Sequence, residues 1–102
     1  MRVWVASEDD APEVTRLMLA FRDWWGRDVP ADDAAVAGVE RLLADDATEF
    51  LLASPDDRAP AGVCQLRYRY GWWYDAADCW FEDVFVTEDA RGLGLSLEQL
   101  CE

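Results

Sequence analysis

Apolar positions change their period repeatedly along this chain, and each change marks a predicted element. Residues 2–6 alternate polar and apolar side chains, which is the period of a short strand. Ser7 followed by Asp10 resembles a capping box with aspartate in the usual glutamate or glutamine place, so a helix is expected to start there. Val14, Leu17, Met18, Phe21 and Trp25 then recur at helical spacing, giving one stripe over about residues 9–25 that Gly26 can end. Trp24 and Trp25, at its C-terminal end, are expected to pack in a core rather than form a ligand platform. Val29 and Pro30 break the pattern. Asp32 or Asp33 can cap a second helix in which Val36, Val39, Leu42 and Leu43 form a stripe, up to about residue 45.

The period then shortens to that of strands. Residues 48–54 hold the apolar run Phe50, Leu51, Leu52 and Ala53, and the segment 55–60 is dense in turn formers, so a hairpin follows. Beyond it, Cys64, Leu66, Tyr68 and Tyr70 fall on one face of a third strand and Val63, Gln65, Arg67 and Arg69 on the other. An aromatic turn at residues 71–75 leads to a fourth strand over 77–86, antiparallel to the third. Regular alternation places Cys79, Phe81, Asp83 and Phe85 on one face and Trp80, Glu82, Val84 and Val86 on the other. Glu82 and Asp83 are thus expected to point to opposite sides. After an acidic turn the chain enters Arg91, Gly92, Leu93, Gly94, Leu95 and Ser96, a glycine loop opening a short helix over about residues 95–102. The expected fold class is α+β: a mainly antiparallel sheet of about four strands with three helices. No repeat, low-complexity tract or linker divides residues 1–102, so one domain is expected.

Composition narrows the chemistry. Hydrophobic residues make up 52% of the 102 and aromatics 13%, which is a globular rather than a disordered balance. The net charge of −13 repels a phosphate polymer, so no nucleic-acid partner is expected and cationic partners are favoured. All nine basic residues are arginine. Histidine is absent, which removes Ser-His-Asp and Cys-His nucleophilic sites, and no metal is expected. Cys64, Cys79 and Cys101 show no close pair and read as reduced, mostly buried thiols. No stretch resembles a signal peptide or a membrane span, so a cytoplasmic protein with no membrane partner is expected.

The glycine loop suits phosphate. Glycines let the backbone approach a ligand closely, and the first N–H groups of a helix lack intrahelical partners and converge on an anion. No lysine follows the glycines, so the loop is not of the Walker type. Taken with the element order, the segment resembles the GCN5-related N-acetyltransferase superfamily, and the resemblance covers nearly the whole chain. Its signature is Arg or Gln, two residues, Gly, one residue, then Gly or Ala; Arg91, Gly94 and Ser96 occupy those places, with Ser96 departing from the pattern. The preceding Phe81-Glu82-Asp83-Val84-Phe85-Val86-Thr87 matches a segment common in the polyamine and small-amine branch.

The resemblance implies acetyl-CoA as co-substrate. Val84, Phe85 and Val86 would lie along its pantetheine arm, and the amides of Arg91, Gly92, Leu93, Gly94, Leu95 and Ser96 would hold the pyrophosphate. Acetyl transfer needs the free amine, because an ammonium has no lone pair, and a carboxylate near the thioester can take the proton. Glu82 is the expected base, matching the branch's catalytic glutamate, and Asp83 is its alternate or a substrate anchor. Tyr68, Tyr70 and Tyr74 carry no spacing that marks an acid. The family continues with further strands and a helix that do not follow here, so a C-terminally truncated copy is expected, its fourth strand an open edge through which two copies could pair. The chain reads as an N-acetyltransferase of a small cationic amine. The alternative is a non-catalytic homologue that binds acyl-CoA or dimerises.

Overall fold

A computed structural model describes residues 1–56, 58–73 and 75–87. The chain forms β1 (Arg2–Val5), α1 (Ala11–Trp25), α2 (Asp32–Leu43), β2 (Thr48–Ser54), β3 (Gly62–Gly71) and β4 (Ala76–Val86), with one 3-10 turn at Glu8–Asp10. Each expected element is present within a residue or two, except that the expected third helix lies outside the described residues. The four strands form one sheet in the order β1-β2-β3-β4, every neighbouring pair antiparallel. The helices enter between β1 and β2.

Local chemistry accounts for the helix ends. The Ser7 N–H donates to the Asp10 carboxylate at 2.9 Å, and the Trp4 indole N–H donates to the same group at 3.3 Å, which ties the helix start to β1. At the other end Gly26 adopts φ +77°, the left-handed cap that only glycine takes without strain, and donates to the carbonyls of Arg22 and Asp23.

Both helices lie on one face of the sheet. Val14 and Leu17 of α1 and Val39 of α2 pack with Phe50, Leu52, Val63 and Phe85 in the main core. A smaller cluster of Ala53, Ala61 and Val86, joined by Val3 and Val84, forms beside it. Cys64 is fully buried, whereas Cys79 is exposed, so the expectation of mostly buried thiols holds for only the first. Trp24 and Trp25 are 54% and 59% exposed, so they are not the core pair their position suggests.

The largest departure from regular alternation is in β4. Gln65 of β3 pairs with Asp83, yet the next residue, Leu66, pairs with Phe81, so Glu82 is an extra residue forming a β-bulge. One extra residue reverses the faces of everything before it. Phe81 and Cys79 therefore leave the face of Asp83 and Phe85, and Trp80 joins it. The Arg69 guanidinium lies 4.0 Å from the Trp80 ring centroid, as two side chains sharing a face should.

Candidate functional site

The site begins at the C-terminal end of α1. Arg22 donates to Asp23, to the Pro30 carbonyl and to the Asp32 carboxylate at 2.8–2.9 Å, clasping the α1–α2 connection against both helices. Phe21 stacks between Phe85 (centroids 5.2 Å apart, planes 9° apart) and Trp25 (5.8 Å, 14°). The clasped loop and the aromatic stack leave between them a cavity of about 460 Å³, lined by Met18, Phe21, Arg22, Trp25, Arg27, Val29, Pro30 and Asp83. Its walls are apolar and aromatic, with a carboxylate from β4 and guanidinium groups from α1 and the loop. That mixture of apolar wall and few charged groups is the usual character of a small-molecule site.

The two adjacent carboxylates differ in their surroundings. Asp83 is partly buried at the cavity, on the sheet face that carries the helices. Its pKa is raised, first by burial and then by the neighbouring Glu82 charge. Glu82 is exposed. Burial therefore acts on Asp83 rather than on Glu82, the residue expected to be the base. Sequence reasoning also missed the cavity's other wall. Arg22, Arg27, Val29 and Pro30 read as a helix end and a loop, and no signal in the sequence pairs them with β4.

The tyrosines do not gather at this cavity. Tyr68 shares the opposite sheet face with Glu49, and hydrogen bonding to that carboxylate, with burial, pushes its pKa up to about 12. Tyr70 donates to Asp75 at 2.5 Å near the tip of the β3–β4 hairpin. Tyr74 and the glycine loop of Arg91, Gly92, Leu93, Gly94, Leu95 and Ser96 lie outside the described residues.

No protein-family model and no curated protein matches the chain. Solved structures do. The integron cassette protein HFX_CASS3 from the mobile metagenome of Cole Harbour Salt Marsh is 29% identical, with TM-score 0.79 over 90% of this chain and 60% of that one. Ribosomal-protein-alanine N-acetyltransferase from Brucella melitensis biovar Abortus 2308 is 21% identical, with TM-score 0.78 over 99% of this chain and 67% of that one. AAC(6')-Iy, in complex with the bisubstrate analogue CoA-S-monomethyl-acetylneamine, is 19% identical, with TM-score 0.73 over 98% of this chain and 65% of that one. The fold is the acetyltransferase fold. The chain spans 60–67% of the lengths of these neighbours.

In that fold β4 occupies a distinctive place here. It pairs with β3 along one side, and among the described residues no strand pairs with its other side. Val84, Phe85 and Val86 form the last residues of that strand, just past the bulge. Thr87, which follows them, holds a buried hydroxyl with no hydrogen-bond partner among the described residues. Among the described residues, no group of three or more His, Cys, Asp or Glu side chains could hold a metal ion, and no helix is long and apolar enough to cross a membrane.

Proposed function

We propose that this chain carries out acetyl-CoA-dependent N-acetylation of a small cationic amine. The observation that supports the reading best is the partly buried carboxylate of Asp83 in the wall of the aromatic cavity, next to the C-terminal end of β4. That strand end fits acetyl-CoA. Main-chain groups of the segment Val84, Phe85 and Val86 are assigned to an amide-bearing arm in the manner of an added strand, and the Thr87 hydroxyl offers one further polar group at its end. The backbone amides from Arg91 to Ser96 are assigned to the pyrophosphate, with Arg91 adding positive charge. When bound, acetyl-CoA supplies an acetyl group activated as a thioester.

The protein's own part is to position and deprotonate the amine. Phe21 and Trp25 give an ammonium aromatic surface, and Asp83 gives it a counter-charge. Burial makes the Asp83 carboxylate a better proton acceptor than an ordinary aspartate, which suits it to take the proton as the amine attacks. From Asp83 the proton is released to water. Asp83 thus serves as both anchor and base.

The test has two readouts. Acetyl-CoA and desulfo-CoA should each raise the melting temperature, and thiol release in the presence of an amine panel should show turnover. Asp83→Asn is expected to lower turnover by roughly 100-fold or more while preserving stabilisation by desulfo-CoA. No shift with either ligand sinks the assignment of β4.

A second reading rests on a different observation. Trp72 and Trp73 are 74% and 83% exposed at the hairpin tip, and Phe81 is 54% exposed on β4, so the open edge carries unusual apolar surface. This favours an acyl-CoA-binding module that pairs with a second copy. Its signature would be CoA-dependent stabilisation and a dimer in sedimentation, with no thiol release.

A further inference from the structure

Beyond the cavity at Asp83, a second one of about 270 Å³ lies between α1 and α2. The two adjoin, because Met18, Arg22 and Pro30 line both. The walls of the second are supplied by Ala34, Ala35 and Gly38 of α2 and by Leu19 and Phe50 opposite, and the single charged residue among its described lining is Arg22. Arg22 is already engaged by Asp23, Asp32 and the Pro30 carbonyl. An independent observation agrees that space is kept open there. A Cβ added at Gly38 would meet nothing within 4 Å, although a glycine inside a helix costs about 1 kcal/mol relative to alanine.

We infer that the acceptor is a monoamine with an apolar tail: its amino group sits at Asp83, and its tail passes Met18 and Pro30 to lie over Gly38 between the helices. The inference rests on the acetyltransferase reading for the reaction, but not for the binding. A polyamine needs several acceptors along its length, and among the described residues the two cavities together offer one carboxylate, Asp83, against two guanidinium groups, Arg22 and Arg27. An extended polycation would leave its inner charges against alanine, glycine and methionine, where burying an unpaired charge is costly. A hydrocarbon tail meets no such cost and removes its own surface from water.

Calorimetry on the full chain, with desulfo-CoA present and absent, tests this with butylamine, hexylamine, octylamine and spermidine. The dissociation constant should fall about fourfold for each methylene that becomes buried. Spermidine should bind more weakly than octylamine. Gly38→Leu fills the second cavity and should flatten the dependence on tail length; Ala34→Leu, at an exposed position on the same wall, is the second variant should Gly38→Leu unfold. Val36→Leu, which lines neither cavity, should retain the dependence. Affinity independent of tail length, spermidine as the tightest ligand, or an unchanged dependence in both cavity-filling variants would overturn the inference. Tail-dependent binding without thiol release would remove the acetyltransferase reading and leave this site standing. Thiol release without tail dependence would do the reverse.

Discussion

Asp83 and Glu82 are neighbours in sequence with different surroundings, and the difference is measurable. The folded-state pKa of Asp83 lies above its ordinary value of 3.8, so the folded protein holds that proton more tightly than the unfolded chain. Stability from this group is therefore fully present below the unfolded value and is lost as pH rises through the folded one. Asp83→Asn removes that loss. It should melt at a higher temperature than the parent at pH 7, with the gap closing in acid. Equal melting temperatures for Asp83→Asn and parent at pH 7 would count against burial of this carboxylate. Tyr68 gives a second handle. Its pKa, raised to about 12 chiefly by Glu49, means that its hydrogen bond stabilises the fold below pH 10 and is lost as pH rises through the folded value. Ultraviolet titration should show a tyrosine ionising at about pH 12 that is lost in Tyr68→Phe, with Tyr70, raised by its hydrogen bond to Asp75, still late in that variant.

At the scale of elements, β4 and the cap of α1 carry the site. Deleting Glu82 removes only the extra residue: Gln65 still pairs with Asp83 and Leu66 with Phe81, so Asp83, Phe81 and Trp80 keep their faces. The deletion should therefore leave amine binding and tryptophan fluorescence close to those of the parent. A loss of amine affinity in a deletion variant that circular dichroism reports as folded would show that the bulge itself shapes the cavity. Gly26→Ala forces a side chain into the left-handed region and should cost about 1 kcal/mol in urea unfolding. It should also weaken amine binding, since Gly26 starts the turn that brings Arg27, Val29 and Pro30 to the cavity. Most of the elements were legible, because stripes such as Val14, Leu17, Met18 and Phe21 encode a period. The bulge was not, because Phe81 to Val86 is compatible with a regular strand and only the pairing with Gln65 and Leu66 reveals the extra residue.

Over the whole molecule, the charge of −13 opposes compaction and attracts cations. Added sodium chloride should raise the melting temperature by screening that repulsion, while weakening the binding of a short amine for the same reason. A melting temperature that falls with salt would mean that specific ion pairs outweigh the overall repulsion. The described ion pairs are few and mostly exposed, such as Arg16 with Glu13, which argues for the first outcome.

The sequence by itself determined the order of the elements, the antiparallel sheet and the resemblance to acetyltransferases, because period, capping residues and turn formers act over a few residues. It also held both carboxylates and the open strand. Tertiary structure alone decided that Trp80 shares the face of Asp83, because the bulge at Glu82 exists only against β3. It likewise decided that Trp25, Arg27 and Pro30, more than fifty residues from Asp83 in the chain, form the opposite wall. Such a wall follows from the packing of α1 on Phe85, which no local pattern of residues encodes.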